Sequence, residues 1–314
     1  MADYSLGVYI GDLHGNYGAL EWLLDELQKE YQIFSDRASG RYRPNVRVVQ
    51  CGDRIDRDDQ GKRIIEECMR LDAANDGQSG QVFGNHELLA LACLDHAKLS
   101  AGSDDPEGSY RWSMHGYNGG LPFVLEFGAS GDSSKVAFEK YVAAMHASAP
   151  MGRWMRGLKP FDVMCVGDKR VLAVHGGIPS SITHPFDILE YISNFGDHMR
   201  KGTDTFGGSE KKFNHRLVDE HSVFWDRSIP AGDLRAAEKL LDNLQIDFLV
   251  IGHTPQKDGK IGRYGSRIFN VDIAMADAYG GNDPGAVVVS DKGVRAFYVT
   301  GGEADPVKRK ERFF

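Results

Sequence analysis

The sequence has little cysteine: there are four residues in 314, and no two stand at the Cys-x-x-Cys spacing of a zinc finger or redox dithiol. It also lacks any run approaching the ~20 uncharged apolar residues that a membrane helix needs. The N-terminus has no basic n-region of the kind that begins a signal peptide. The net charge of −8 is the opposite of the basic excess that most nucleic-acid-binding proteins carry. We therefore expect a cytoplasmic protein with reduced cysteines that binds neither nucleic acid nor membranes.

Three common catalytic signatures are also missing. The sequence contains no Walker A loop, no Gly-x-Gly-x-x-Gly fingerprint and no Gly-x-Ser-x-Gly elbow. Readings as an ATPase, a Rossmann dehydrogenase or an α/β-hydrolase therefore lack support. The 41% hydrophobic and 26% charged residues are ordinary for a globular protein. No linker divides the chain, so we predict one domain over residues 1–314, with insertions near 31–45 and 100–132.

The order of apolar runs predicts the fold class. Short strand-like runs at Leu6–Ile10, Val46–Cys51 and Gln81–Phe83 are each followed by a run with helical spacing. This alternation predicts parallel strands with right-handed connections. Later runs around residues 163–174 and 286–299 resemble β-hairpins. We therefore expect an α/β protein in which two mixed sheets form a β-sandwich flanked by helices, in an α/β/β/α arrangement.

Polar residues follow these strands, and each has glycine beside it. In open α/β sheets, ligands collect outside the carboxyl ends of strands, and glycine allows sharp turns and close approach. Asp, His and Asn side chains suit Mn, Fe or Zn. We expect two divalent ions, with manganese favoured and iron or zinc as alternatives, and with Asp53 bridging them. The predicted ligands are Asp12, His14, Asp53, Asn85, His175 and His253.

Four further residues have the chemistry to act on a phosphate group at such a centre. His86 directly follows a predicted ligand, so its ring is placed to protonate a leaving oxygen. Asp56 could hold the other nitrogen of that ring and raise its pKa. Arg57 and Arg227 can each donate two hydrogen bonds to a phosphate. The predicted catalytic residues are therefore His86, Asp56, Arg57 and Arg227.

Taken in order, the motifs resemble those of the metallophosphoesterase superfamily, and more closely its PPP-type serine/threonine protein phosphatases. The family pattern is GDxHG, GDxxDRG, GNHE, HGG and GH, and this chain carries its counterparts in that order from Gly11 to His253. The surroundings of the last two motifs are most similar to the bacterial and Shewanella-like phosphatases. The resemblance implies the same ten site residues and direct attack by a hydroxide bound to two metals, with no phosphoenzyme. The roles of Asp56 and Arg227 rest mainly on this resemblance.

The chain departs from the family pattern at two places. Asp58 stands where the family has glycine, so a side chain and a negative charge enter a tight turn beside Arg57. We expect a weaker substrate site or an altered loop there. Ile273 also stands where the family has glycine, and we expect the neighbouring Asp272 to lie behind the ligands rather than among them.

The resemblance implies a phosphomonoesterase that acts on phosphorylated proteins or small phosphoesters. A dinucleoside-polyphosphate (Ap4A-type) hydrolase is the alternative, and an inactive phosphoprotein-binding module is a weaker one. Glu87 favours the protein phosphatase, because the nucleotide hydrolases that share these metal-binding motifs usually have Asp at that position. We expect the remaining histidines, His115 among them, to be surface or structural residues. We expect the aromatic residues at 110–127 to pack in the interior rather than form a lid over the substrate.

Overall fold

The computed structural model describes residues 3–179, 182–201, 222–232, 234–299 and 312–313. Within these ranges, short strands alternate with helices as the apolar spacing predicts. The strands are β1 (Asp3–Tyr4), β2 (Leu6–Ile10), β3 (Phe34–Asp36), β4 (Arg41–Tyr42), β5 (Val46–Gln50), β6 (Ser79–Gln81), β7 (Phe161–Val166), β8 (Lys169–Val174), β9 (Phe248–Ile251), β10 (Gly262–Tyr264), β11 (Ile268–Asn270), β12 (Gly285–Ser290), β13 (Gly293–Tyr298) and β14 (Arg312–Phe313).

The helices lie between these strands, and many are short. They are α1 (Tyr17–Tyr31), α2 (Gly61–Ala74), α3 (Asn85–Ala92), α4 (Leu94–Ala101), α5 (Pro106–Tyr110), α6 (Leu121–Leu125), α7 (Ser134–Met145), α8 (Pro150–Gly157), α9 (Pro185–Lys201) and α10 (Leu234–Leu244). A π-helical turn at Gly116–Gly120 and a 3-10 turn at Asp277–Tyr279 complete the described helical segments. No helix in these ranges is both long and apolar enough to cross a membrane.

Two six-stranded mixed sheets form the centre of the molecule. One has the order β1-β7-β8-β9-β11-β10, and the other has the order β14-β13-β12-β2-β5-β6. Strands β2, β5 and β6 are parallel, as the βαβ alternation predicts, and so are β8, β9 and β11. The hairpins β7–β8 and β12–β13 add antiparallel pairs to each sheet. The predicted α/β class with two mixed sheets flanked by helices is therefore confirmed.

Strand β8 shows how alternating side chains fill two separate cores. Val171 and Ala173 are buried in one apolar cluster together with residues of β2, β5 and β12 from the other sheet. Leu172 and Val174 are buried in a second cluster, which includes the helices from α3 to α10. This is the period of two that a strand with both faces covered requires. Two buried faces hold the carboxyl end of the strand rigidly, where His175 follows.

The first predicted insertion, residues 31–45, contains the hairpin β3–β4, which a buried asparagine joins to the rest of the protein. Asn75 directly follows the last residue of α2. Its side-chain amide nitrogen donates to the carbonyls of Gly40 at 2.7 Å and Leu71 at 2.8 Å. Its side-chain oxygen accepts from the backbone N–H of Tyr42 at 2.6 Å. One buried side chain therefore satisfies polar groups of both the hairpin and the helix end.

The second predicted insertion, residues 100–132, divides its aromatic residues between the interior and the surface. Tyr110, Phe123 and Phe127 are buried in the helical core, as expected for packing residues. Trp112 and Tyr117 are instead 88% and 84% exposed, which contradicts the expectation of interior packing for these two. The segment runs through α5, the π-helical turn and α6. Trp112 and Tyr117 lie in the sequence between the buried Tyr110 and Phe123, so residues close in sequence face opposite environments.

We predict that Asn75→Ala lowers the free energy of unfolding by about 2–4 kcal/mol, because it leaves several buried backbone groups without a partner. Equilibrium urea unfolding would measure the change. The matched control, Asn243→Ala, alters an exposed asparagine on α10 and should change the value by less than about 0.5 kcal/mol. Equal effects of the two substitutions would contradict the anchoring role of Asn75.

Candidate metal centre and active site

The structure brings the predicted site residues together through direct contacts. Each ligand follows a strand or begins the helix after it, so the chain delivers them to the carboxyl ends of β2, β5, β6, β8 and β9. Eight of the ten residues are buried, and the two arginines are the more accessible members. The buried residues are Asp12, His14, Asp53, Asp56, Asn85, His86, His175 and His253.

Half of the predicted site residues have an unusual backbone conformation. The φ angle is positive at His14 (42°), Asp53 (53°), Asp56 (73°), Arg57 (71°) and His253 (66°). Residues other than glycine rarely adopt this region, and each such residue costs about 1–3 kcal/mol. The surrounding contacts must therefore hold these residues in place.

One carboxylate oxygen, Oδ2 of Asp53, is the centre of the cluster. It lies 3.3 Å from Nε2 of His175, 3.6 Å from Nε2 of His14 and 3.9 Å from Nε2 of His86. Two groups of potential metal ligands share this residue: Asp53 with His14 and His86, and Asp53 with His175 and His253. Within each group the ligand atoms all lie within 4.8 Å of one another. A cation held by each group would share Asp53 as a ligand, which is the bridging position predicted for this residue.

The other two predicted ligands lie against members of these groups. Oδ1 of Asn85 is 2.9 Å from Nε2 of His175. Both carboxylate oxygens of Asp12 accept from the backbone N–H of His253, at 3.1 and 3.3 Å. The geometric grouping thus differs in one respect from the sequence-based assignment: His86, predicted as the acid, lies close enough to count among the potential ligands, whereas Asp12 falls outside both groups.

Hydrogen bonds to backbone carbonyls orient two of the histidine rings toward the centre. Nδ1 of His14 lies 3.2 Å from the carbonyl oxygen of Ile55, and Nδ1 of His175 lies 2.9 Å from that of Cys51. Because a carbonyl only accepts, each Nδ1 carries the hydrogen. In a neutral ring this leaves the lone pair on Nε2, which is the atom facing Asp53, and such bonds commonly orient metal-ligating histidines.

Several polar atoms at this centre are buried without a hydrogen-bond partner among the described residues. Among them are Nε2 of His253 and Oδ2 of Asp272. A buried polar atom left unpaired costs free energy, so a native structure usually offers it a partner. Divalent cations would satisfy the imidazole lone pair of His253. The donor set therefore fits two ions of the Mn, Fe or Zn type.

Burial and close spacing shift the pKa values of several groups in this centre. Burial, together with the nearby Asp272 and Asp53, raises the pKa of Asp12 well above its usual range. Burial and Asp53 raise the pKa of Asp272 to about 7. Burial and His86 lower the pKa of His14 to about 4, which keeps that ring neutral and able to coordinate. Closely spaced buried carboxylates beside a neutral imidazole are the electrostatic setting that favours a divalent cation.

His86 and Asp56 form the pair that the sequence suggested. Nδ1 of His86 lies 2.6 Å from Oδ2 of Asp56, and both side chains are buried. Burial alone would raise the pKa of Asp56, but His115 and His86 outweigh it and lower the pKa to about 2. Burial alone would lower the pKa of His86, but Asp53 and Asp56 outweigh it and raise the pKa above its ordinary value. The ion pair thus favours a protonated His86.

His115 is a neighbour of this pair that the sequence analysis placed among the surface or structural histidines. It is completely buried, and its Nε2 lies 2.8 Å from Oδ1 of Asp56. The sequence carries one signal for this residue: His115 is followed by glycine, as are the predicted ligands His14 and His175.

The two arginines approach the centre from different elements. The backbone N–H of Arg57 donates to the carbonyl of Gly119 at 3.0 Å, and its guanidinium carbon lies 5.7 Å from the ring centre of Tyr279. Arg227 donates from Nη2 to the carbonyl oxygen of His253 at 3.2 Å. The Arg57 guanidinium therefore lies beside Tyr279, whose ring contacts His14, and the Arg227 guanidinium contacts the candidate ligand His253 directly.

Asp58 has a definite structural role where the family has glycine. Its Oδ2 accepts from the backbone N–H of Asp277 at 2.7 Å, and its Oδ1 accepts from that of Ala278 at 3.0 Å. These bonds hold the 3-10 turn that carries Tyr279, whose ring centre is 5.3 Å from that of His14. The loop that contains Asp58, which we expected to be altered, is therefore hydrogen-bonded to the turn at Asp277–Tyr279. Tyr279 was not identified from the sequence, because only this long-range contact places it at the site.

Glu87 joins the two loops that carry most of the predicted catalytic residues. Its carboxylate accepts from the backbone N–H groups of Gly84 at 2.9 Å, Asp53 at 3.0 Å and Arg54 at 2.7 Å. Both Glu87 and Arg54 are completely buried, and their charged groups lie 3.6 Å apart. A Cβ atom on Gly84 would lie 2.3 Å from the backbone nitrogen of Asp53, so only glycine allows this approach.

Comparison with known proteins identifies relatives of this arrangement. The profile of the family described as calcineurin-like phosphoesterase matches residues 8–257. The cold-active protein-tyrosine phosphatase of a psychrophilic Shewanella species is 18% identical, with a TM-score of 0.63 over 95% of this chain and 80% of that one. A protein serine/threonine phosphatase from Saccharomyces cerevisiae is 14% identical, with a TM-score of 0.51 over 97% of this chain and 82% of that one. The uncharacterized protein C1840.07c of Schizosaccharomyces pombe is 22% identical over 88% of this chain and 76% of its own length.

We predict that Asp53→Asn removes both metal ions, because both ligand groups depend on this carboxylate. Elemental analysis after loading with Mn²⁺ and desalting would measure the metal content per chain. Asp168→Asn, in the exposed turn between β7 and β8, is the matched control and should bind metal as the unaltered protein does. Full metal content in Asp53→Asn would disprove the bridging role.

Proposed function

The chain belongs to the calcineurin-like phosphoesterase family, and on that premise we propose that it is a metal-dependent phosphomonoesterase that dephosphorylates phosphoproteins. One observation carries the proposal: Asp53 lies at the intersection of two groups of ligands. A general-acid pair, His86 and Asp56, adjoins that intersection. When bound, two divalent cations would neutralise phosphoryl oxygens and lower the pKa of a coordinated water. Manganese is the proposed metal, with iron or zinc as alternatives.

The protein's own groups then have separate tasks. Arg57 and Arg227 donate hydrogen bonds to the phosphoryl oxygens and fix their orientation. His86 protonates the leaving oxygen, so an alcohol rather than an alkoxide departs. Asp56 accepts from Nδ1 of His86, which directs the acidic Nε2–H toward the centre. No covalent intermediate with the protein is needed in this scheme.

Two observations support a protein substrate. Trp112 and Tyr117 are exposed on the segment that contacts Arg57 through Gly119, and exposed aromatic residues are typical of surfaces that bind macromolecules. The Shewanella and Saccharomyces structures of the same fold are described as protein phosphatases. Glu87 supports the choice less directly than the sequence suggested, because it is completely buried among loop N–H groups. The cytoplasmic location stays a prediction from the sequence.

A substrate panel tests the proposed function. Metal-stripped protein is reloaded with Mn²⁺, and release of phosphate from phosphoserine, phosphothreonine and phosphotyrosine peptides is compared with cleavage of diadenosine tetraphosphate. We expect a higher kcat/KM for one of the phosphopeptide classes, with Asp53→Asn as the inactive reference. Preferential cleavage of the dinucleotide would replace the phosphoprotein assignment with the nucleotide hydrolase. Binding of phosphopeptides without turnover would instead identify a binding module.

We predict that His86→Asn lowers kcat for an alkyl phosphate by roughly a hundredfold, because a poor leaving group needs the acid. Turnover of p-nitrophenyl phosphate should fall much less, since its leaving group is stable without a proton. His96→Asn alters an exposed histidine on α4 and serves as the control. Equal losses on both substrates would show that His86 is not the acid.

A further inference from the structure

A chain of buried hydrogen bonds extends from His86 past Asp56 into the helical core. Nε2 of His115 lies 2.8 Å from Oδ1 of Asp56, and Nδ1 of His115 lies 2.7 Å from the hydroxyl of Tyr110. Asp56, His115 and Tyr110 are all completely buried. The carboxylate of Asp56 is therefore held at both oxygens, by His86 on one side and by His115 on the other.

The direction of these bonds follows from the chemistry of the groups. Asp56 lies between two imidazole nitrogens at 2.6 and 2.8 Å, and an ionised carboxylate can only accept hydrogen bonds. Both histidines must therefore donate to it, and Nε2 of His115 carries a hydrogen. Burial raises the pKa of the Tyr110 hydroxyl well above its ordinary value, so this group keeps its proton and can donate it to Nδ1 of His115.

Holding both oxygens restricts rotation of the carboxylate. If only His86 contacted Asp56, either oxygen could face Nδ1 of His86, and the other would be a buried charge without a partner. Complete burial of Asp56 prevents bulk solvent from taking the place of His115. A carboxylate fixed at Oδ1 keeps Oδ2 on Nδ1 of His86, and this keeps the opposite ring atom directed toward Asp53.

The backbone around His115 is shaped to fit its ring closely. A Cβ atom on Gly120 would lie 2.4 Å from Nε2 of His115, so a larger residue there would displace the ring. The backbone N–H of His115 contacts Sγ of Cys93 at 3.4 Å, next to the end of α3. The carbonyl of Gly119, the residue before Gly120, accepts a hydrogen bond from the backbone N–H of Arg57. The same turn thus supports Asp56 through a side chain and Arg57 through its backbone.

From these contacts we propose that His115 is a positioning residue for the reaction: it holds Asp56 so that His86 stays oriented as the acid. The proposal rests on the phosphomonoesterase activity proposed above, and it assigns His115 no contact with the substrate. It predicts that His115 acts only through Asp56 and His86. A residue needed only for packing would instead lower the turnover of all substrates alike.

The test compares His115→Leu, which removes the bond, with His115→Gln, whose amide nitrogen can still donate to Asp56. We expect His115→Leu to lower kcat for an alkyl phosphate by about tenfold, with KM nearly unchanged and a smaller loss on p-nitrophenyl phosphate. His115→Gln should recover most of the difference between the two substrates. Phe138→Leu, which changes packing against the Tyr110 ring, is the control and should leave the ratio of the two rates unchanged.

A double substitution separates the proposed path from a general effect on the site. In the His86→Asn background, His115→Leu should cause no further loss on the alkyl phosphate, because the two residues act through one route. Additive losses, equal losses on both substrates, or no recovery by glutamine would each overturn the proposal.

A spectroscopic measurement keeps the test valid whatever the substrate proves to be. In the zinc-loaded protein, the Nδ1 proton of His86 should give a downfield proton resonance, which His115→Leu weakens or removes and His115→Gln retains. If the unaltered protein hydrolyses no monoester, the proposed function fails, and this resonance alone decides the role of His115. A resonance unchanged in folded His115→Leu would overturn the positioning role.

Discussion

The candidate site depends on one buried carboxylate that is not among its predicted ligands or predicted catalytic residues. The carboxylate of Glu87 accepts hydrogen bonds from the backbone N–H groups of Gly84, Asp53 and Arg54. These bonds connect the loop after β5 to the start of α3. Because hydrogen bonds to a charged acceptor are stronger than neutral ones, this contact can hold the two loops against the strain of their turns. Arg54 lies beside Glu87, so the two buried charges are paired. Arg54 also donates to the carbonyl of Val82, next to β6, and this bond connects the pair to the sheet. Removing either partner would leave an uncompensated charge in the interior.

The strained backbone of the site is held by contacts from distant parts of the chain. The carbonyl of Asp53 accepts from the backbone N–H groups of Leu13 and His14, which joins the loops after β2 and β5. Gly119 holds Arg57, and Asp58 holds the turn before Tyr279. The positive φ angles of His14, Asp53 and Arg57 are thus each held by a backbone contact to a neighbouring loop. This is the usual condition for such conformations to persist at functional sites.

The predicted ligands could be identified from the sequence because each of them lies next to the end of a strand. Asp12, Asp53 and Asn85 each follow an apolar run and a glycine, and a parallel sheet brings such positions to one edge. His115 and Tyr279 could not be placed in the same way, because an irregular segment and a turn held by Asp58 bring them in. The exposure of Trp112 and Tyr117 has the same origin, since single helical turns have no periodicity long enough to separate an inner from an outer face.

The segment from Tyr110 to Gly120 presents Trp112 and Tyr117 to solvent while His115 contacts Asp56 from inside. The outward-facing and inward-facing residues of this segment lie on one short stretch of backbone. Neither Gly119 nor Gly120 has room for a side chain, so this stretch is closely packed against its neighbours. A change of sequence that reshapes the outer face would therefore also shift the support of Asp56. The exposed aromatic surface and the contact to Asp56 are therefore inherited together, so divergence of one within this fold is constrained by the other.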